Sequence, residues 1–471
     1  MIQYNTKEKI ILDAIYKASN DMGIDSYLIG GYVRDKILNR KVEDIDVVCI
    51  GDGISLAKKT ADYLGLKNGV TVFKRFGTAM IKYKGLEVEF VGARKESYNF
   101  DSRKPVVKPG TFMDDLKRRD FTINTLAISF KDKSFDKIID NFNGLKHLEE
   151  ELIKTPLDPD KTFSDDPLRM MRAIRFATQL NFKIEENTSE SIKKNKERIK
   201  IVSVERISTE LQKIVASKKP SIGFKFLFDS GLLKIIFPEM AQLYGVDTID
   251  GKSHKDNFYH TIQVLDNVAA KTDNIWLRWA AIMHDIAKPK TKKFTEKEGW
   301  TFHGHEIVGY HMTYHIFKRM RLPLDNHMKF VQKLVKLHLR PMALVKEEVT
   351  DSAIRRLLYE AGNDIDALML LAKADITSKN ERKIKTFLKN YDKVIEKLKE
   401  VEEKDKLRNW QPPITGEEIM KTFDLKPSKT VGIIKTEIRE AILDGKISND
   451  PKEAYDYMID VGAKMGLKPV V

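Results

Sequence analysis

The sequence predicts an α+β chain: a small mixed-sheet head followed by a long all-helical remainder. Three observations carry that prediction. Strand-like runs are confined to the first 130 residues: SYLIGG, IDVVCI, VTVFKRFGTAMIKY, LEVEFVGAR and FTINTLAIS. They alternate Val, Ile and Phe at period two and are punctuated by glycine. From about residue 145 to 380 the apolar residues recur at helical spacing, with breaks at TPLDPD, FPEM, GVDTIDGKSH, KPKTKK and RLPLDN. Composition is the third: of 471 residues, 42% are hydrophobic and 32% charged. That is too apolar for a disordered chain and too charged for a membrane protein.

The elements follow in order. MIQYNTKEKIILDAIYKAS has no long apolar run and no small-residue cleavage site. It reads as an amphipathic helix over about 5–22, not a signal peptide. No later stretch approaches the length a bilayer span needs, so no membrane partner is expected. The one cysteine, Cys49, excludes a disulfide framework and any cysteine-based zinc site, and a cytoplasmic setting is expected. The expected domains are a head (1–145), a helical neck (146–220), a body (221–380) and a charged helical tail (381–471). The formal charge is +14. The excess is spread along the chain rather than held in one arm, which favours a polyanion met along an extended face.

In the head, Gly30-Gly31 stands between a strand and a helix, with Arg34 one turn on. Glycines there let backbone approach a phosphate closely, and the helix N-terminus adds unpaired N–H groups. Asp44 and Asp46 are two apart on the next strand, so their carboxylates share one face. An isolated pair of this kind is usually the solvated face of an edge strand. Here Glu89 offers a third carboxylate on a further strand, and the phosphate turn lies a dozen residues upstream. Three acids beside such a turn suit two-metal phosphoryl or nucleotidyl transfer with Mg²⁺. Arg118 and Arg119 can bind a polyphosphate, and Asn124 a sugar hydroxyl.

In the neck, SDDPLRMMRAIRF reads as one helix start, with Ser164 as N-cap and Pro167 in the first turn. Asp166 and Arg169, three apart, form either an ordinary surface salt bridge or a protein template for a base. In the second case Asp166 accepts from an exocyclic amino group and Arg169 donates to the ring nitrogen, a pattern that suits C and A. Arg172 and Arg175 continue the basic row towards a triphosphate.

Together GGYVRD, DID, RRDFTIN, DDPLRMMRAIRFA and VERI resemble, in order over about 1–215, the class II nucleotidyltransferases. These are the CCA-adding tRNA nucleotidyltransferases and bacterial poly(A) polymerases of the DNA polymerase β superfamily. The resemblance implies Asp44 and Asp46 as catalytic metal ligands, with Glu89 aligning as the third carboxylate. It implies nucleotide contacts from Gly30, Gly31, Arg34, Arg118, Arg119, Asp120, Asn124, Asp166, Arg169, Arg172 and Arg175. It further implies tRNA, CTP and ATP as partners. Asp165 stands where the family often has Glu. Residues 99–115 resemble the family's flexible loop.

Seven of the ten histidines fall between 254 and 315. The order His260, His284-Asp285, Asp375 resembles the HD phosphohydrolase superfamily, in which those four residues bind a divalent metal. His305 and His338 are placed to serve a second ion or the substrate. The expected function is template-independent CCA addition to tRNA 3′ ends, with an HD phosphohydrolase activity beside it. The alternatives are a poly(A) polymerase, a CC- or A-adding enzyme, or an HD phosphohydrolase with a nucleotide-sensing head.

Overall fold

The structure is a computed structural model. It describes residues 2–470 except 43, 68, 75–76, 100–101, 347–349, 378–380 and 406–409. The chain forms two compact units, Met1–Pro238 and Glu239–Val471.

The first unit opens with α1 (Thr6–Met22). Asn5 caps it by accepting from the Glu8 N–H at 3.0 Å, and Glu8 returns a bond to the Asn5 N–H. A seven-stranded mixed sheet follows. Its strands are β1 (Ser26–Ile29), β2 (Asp44–Cys49), β3 (Val70–Phe73), β4 (Thr78–Tyr83), β5 (Leu86–Gly92), β8 (Ala127–Ser129) and β9 (Ile138–Ile139). Their order is β3-β4-β5-β2-β1-β8-β9, with β2 and β5 the parallel pair. Between β5 and β8 lie a separate hairpin, β6 (Arg94–Asn99) and β7 (Ser102–Pro109), and the short helix α4 (Phe112–Lys117). Residues 99–115 are therefore hairpin and helix start, with 100–101 outside the described residues.

The two faces of β2 have different fates, which period two dictates. Ile45, Val47 and Cys49 are at most 1% exposed. The other face carries Asp44, Asp46 and Val48. Val48 packs with Ile29, Leu116 of α4 and Ala127, so the covered end of that face is apolar and its carboxylates sit at the open end. The helices α2 (Gly31–Ile37) and α3 (Gly53–Tyr63) follow β1 and β2.

FTINTLAIS forms a strand only over its last part. Thr122–Asn124 is a 3₁₀ turn, because Asn124 and Thr122 spend their side chains on Asp120 and His147. In the neck, α5 (Gly144–Glu149) precedes α6 (Pro159–Asp165) and α7 (Leu168–Leu180). Ser164 does not cap α7, contrary to the sequence expectation; it lies inside α6. The break falls at Asp166 (φ −134°, ψ 97°), which is extended because Pro167 disfavours the helical region for its predecessor. Then come α8 (Glu186–Asn195) and α9 (Val204–Val215), the latter packed on α7.

The second unit is helical. Asn257–Ala269, Ile275–Met283, His305–Arg319, Asn326–Leu337 and Ile365–Ala374 form its core, with two small hairpins at 248–253 and 293–301. The tail docks on this unit. Arg356, on the helix Asp351–Ala361, pairs with Glu440 of the tail helix Lys429–Leu443 and, at 2.7 Å, with Asp444 at that helix's C-cap. Among the described residues no helix is long and apolar enough to cross a membrane.

Candidate active sites

The register of β2 and β5 sets Asp44 opposite Glu87 and Asp46 opposite Glu89. The sequence reading singled out Glu89; Glu87 belongs to the same acidic rung. Burial and the neighbouring Asp44 raise the Asp46 carboxyl above its usual range, against the pull of Arg119 and Arg34. Glu89 is raised by desolvation and by Asp46 and Asp44, against Arg94. Acids that resist ionisation because they are desolvated and also face one another are what a divalent cation neutralises, and hard oxygen ligands fit Mg²⁺.

Gly30 lies against this pair. A Cβ at Gly30 would stand 2.9 Å from Nη1 of Arg119 and 3.4 Å from Oδ2 of Asp46, and its φ of 79° is one that glycine adopts freely. Gly31 begins α2 and lies beside Arg34, whose guanidinium is buried. Arg34 donates to Asn124 Oδ1 at 2.7 Å and pairs with Asp35 at 2.7 Å. Asn124 in turn donates to Asp120 Oδ1 at 2.9 Å, and Asp120 Oδ2 receives Arg172 at 2.6 Å. Burial alone would raise the Asp120 carboxyl, but Arg172 and Asn124 hold it well below the ordinary range. Three guanidiniums, those of Arg34, Arg172 and Arg175, lie within 5.3 Å of the Phe176 ring.

The arginines are less free than their sequence suggests. Arg118 and Arg119 both bind the buried Asp115, at 2.5 and 3.1 Å. Arg175 is buried against Glu210 at 3.2 Å. Asp115 and Glu210 were not singled out in the sequence. An acid three or four residues before an arginine pair was a readable signal; Glu210, on a different helix, left none. Asp166 and Arg169 meet through the backbone, the Arg169 N–H donating to the Asp166 carbonyl at 3.0 Å, while their side chains turn to other partners. Asp166 accepts from the Leu168 N–H at 3.2 Å, and Arg169 donates to the Arg118 carbonyl at 2.6 Å. Each is therefore oriented by a separate anchor.

The body brings all four predicted residues together. His260 Nε2 is 2.8 Å from Asp375 Oδ1 and 3.5 Å from Asp285 Oδ2. His284 Nε2 is 3.2 Å from Asp285 Oδ2. On the other side of the same carboxylate, His305 Nε2 is 3.3 Å and His338 Nε2 3.9 Å from Asp285 Oδ1. Asp285 thus joins two triads, with His260 and His284 and with His305 and His338, each able to surround an ion.

The imidazoles are oriented for ligation. Nδ1 of His284, His305 and His338 lies 2.7, 2.7 and 2.6 Å from the carbonyls of Ala281, Phe302 and Val335. Each Nδ1 is therefore the donor, and each Nε2 turns inward. His284 Nε2 is buried and makes no well-aligned hydrogen bond, although Asp285 Oδ2 lies 3.2 Å away, so its lone pair or proton is set among carboxylates where a metal ion would fit. Although burial opposes it, the charges of Asp285 and Asp375 push His284 up to about 10. Burial and the charge of His284 push His338 down to about 4. Lys288, absent from the sequence reading, pairs with Asp285 Oδ2 at 2.6 Å.

Three family models match stretches of this chain, two of which contain the two clusters. Residues 26–154 match the Poly A polymerase head domain, 181–243 the probable RNA and SrmB-binding site of polymerase A, and 257–380 the HD domain. The CCA-adding enzyme of Lactobacillus helveticus is 37% identical over 229 residues, 48% of this chain and 55% of that protein. The CCA-adding enzyme of Ligilactobacillus salivarius is 28% identical over 93% of this chain and 92% of its own. An A-adding tRNA nucleotidyltransferase of Aquifex aeolicus is 42% identical over 36% of this chain and 20% of that protein. The chain spans about half the length of several of the curated relatives it matches. Among solved structures, the Bacillus stearothermophilus CCA-adding enzyme in complex with CTP superposes with a TM-score of 0.66 at 20% identity, covering 98% of this chain and 99% of that one. The Thermotoga maritima CCA-adding enzyme complexed with tRNA gives 0.60 at 20% identity, over 97% and 96%. These two likenesses establish the fold.

Proposed function

We propose that the protein is a tRNA nucleotidyltransferase that adds CCA to tRNA 3′ ends from CTP and ATP, working in the cytoplasm. The observation that carries this reading is the acidic rung of Asp44, Asp46 and Glu89 beside the Gly30 turn, with the side chains of Asp166 and Arg169 held by separate anchors. Asp44 and Asp46 would hold Mg²⁺, with Glu89 beside them; the ions would supply charge neutralisation at the reacting phosphate. The remaining tasks fall to the chain. Gly30 and Gly31 admit the phosphates closely, and Arg34, Arg118 and Arg119 offset their charge. Asp120 and Asn124 hold Arg34 and Arg172 in place. Asp166 accepts from the exocyclic amino group of C or A, and Arg169 donates to the adjacent ring nitrogen. Arg175 supports the same helix from its buried pair with Glu210.

Purified protein incubated with tRNA lacking CCA and each labelled nucleotide tests this. Three residues followed by a stop are expected. A ladder of A would make it a poly(A) polymerase, and C alone or A alone a partial enzyme.

A second activity is favoured by one observation, the shared carboxylate of Asp285. His260, His284, Asp285 and Asp375 would hold one divalent ion, with His305 and His338 offering a second position. Such ions would supply a metal-activated water for phosphate-ester hydrolysis. Metal analysis together with a phosphatase assay on the Asp46→Ala protein tests it; no bound metal and no hydrolysis would remove this reading.

A further inference from the structure

His311 and His315 take no part in either site. They belong to a short repeat, Tyr310-His311-Met312-Thr313-Tyr314-His315, inside the helix His305–Arg319. Met312, Thr313, Ile316 and Phe317 form the buried face of that helix. Ile307, His311, Tyr314, His315 and Lys318 form an exposed row on it, as a period of 3.6 dictates. His305, at the start of the same helix, is buried in the Asp285 cluster. One helix thus sends different histidines inward and outward.

The repeat has a geometric consequence. His311 and His315 are four apart, so their side chains are neighbours on adjacent turns, with about 5–6 Å between Cβ atoms. Each imidazole rests against the tyrosine just before it. Ring centroids are 5.0 Å apart for Tyr310 and His311 and 5.4 Å for Tyr314 and His315, at interplanar angles of 86° and 81°. The two rings are therefore held alike, one turn apart. Other exposed histidines are engaged by acids. His303 Nε2 lies 3.7 Å from Glu298, and His327 Nδ1 lies 3.0 Å from Asp325. Among the described residues, neither an acid nor a hydrogen bond holds His311 or His315.

Two imidazoles so placed make a bidentate ligand. Metal–nitrogen bonds of about 2.1 Å set two nitrogens ~3.4 Å apart on a tetrahedral ion, a span that side chains on adjacent turns can close. The row holds no carboxylate, and its charged member is Lys318, so an ion that needs oxygen ligands is not served. Imidazole nitrogen suits zinc, nickel and copper. We propose that His311 and His315 chelate one divalent ion of that class on the outer face of the second unit. Water fills the remaining positions, so the ion exchanges and is lost on dialysis, unlike one held by the three-donor groups around Asp285. The bound ion ties together two turns of the helix that supplies His305.

The test is calorimetric titration of the dialysed, untagged full chain with ZnCl₂. The wild type is expected to show a class of weak sites that His311→Ala and His315→Ala each abolish. Either loss removes the chelate, which should weaken binding by about 10²-fold, and the double variant should be no worse than the single ones. Both side chains are exposed, so an unchanged melting temperature without metal is the folding control. Excess Zn²⁺ should raise the melting temperature of the wild type more than that of either variant. His327→Ala, a change at an exposed histidine outside the pair, should bind as the wild type does. Weak binding that survives both single variants overturns the proposal, since the histidines then act separately or not at all. Weak binding that disappears in Asp285→Ala also overturns it, because the ion would belong to the buried cluster. None of these readouts requires nucleotide addition or phosphate-ester hydrolysis, so the proposal stands or falls apart from both activities.

Discussion

In the head, Asp44 is open to solvent, and the acids of its rung are all carboxylates on adjoining strands. In the body, His284, Asp285 and His338 are at most 2% exposed, and nitrogen ligands outnumber oxygens. The chemistry of the two donor sets differs accordingly. An open, all-oxygen site suits a hard ion that keeps its waters and arrives with a polyphosphate. A buried cluster of imidazoles with fixed tautomers suits a transition metal or zinc that stays resident. On the proposed function, one chain carries a donor set suited to exchange and another suited to retention.

The largest expected effects would break that contrast if absent. Asp46→Ala should lower nucleotide incorporation by ~10³-fold or more, on the order of 4 kcal/mol, yet leave the metal content of the dialysed protein unchanged. Asp285→Ala should do the reverse, stripping metal measured by elemental analysis while incorporation persists. If either substitution disturbs both readouts, the sites are not independent. Next, Glu210→Ala should leave Arg175 buried without its counter-charge and cost about 3–5 kcal/mol in denaturant unfolding. A loss below about 1 kcal/mol would show that water reaches Arg175. Arg169→Ala should lose about 1–3 kcal/mol of C-over-U discrimination, read as the ratio of kcat/KM for CTP and UTP. An unchanged ratio refutes the template role.

The smallest effect concerns the exposed site's own stability. Asp46 and Glu89 titrate above their ordinary range, so the folded state holds their protons more tightly than the unfolded chain does. Their ionisation therefore removes stability as pH rises from about 4 upward. Asp46→Asn should accordingly raise the melting temperature at pH 7 in the absence of Mg²⁺, with a smaller gain at pH 4. A lower melting temperature at pH 7 would mean that Arg119 and Arg34 outweigh the repulsion.

Local chemistry decided what could be read from the sequence. The Asp44/Asp46 spacing, the Gly30 turn and the His284-Asp285 doublet are short patterns whose geometry follows from strand or helix period. The fold class and the order of head before helical body followed from hydrophobic periodicity in the same way. Partners supplied from elsewhere did not show. Arg175 reads as one more member of a basic row until Glu210 of α9 is seen against it. Asn124 looks like a free sugar ligand until Arg34 and Asp120 claim both ends of its amide. The helix break at Asp166 was legible in principle, since Pro167 restricts its predecessor, but the polar run before it imitates a single capped start.

Cys49 ends β2 fully buried, and burial together with Asp52 pushes its thiol up to about 12. At neutral pH it is neither reachable nor nucleophilic, and the chain has no other cysteine. The wild-type protein is thus a blank background for thiol chemistry. A cysteine placed on an exposed face of the head, or on the tail helices, would take a spin label or fluorophore at that point alone. Distances between the two units could then be followed in solution without first engineering any native residue away.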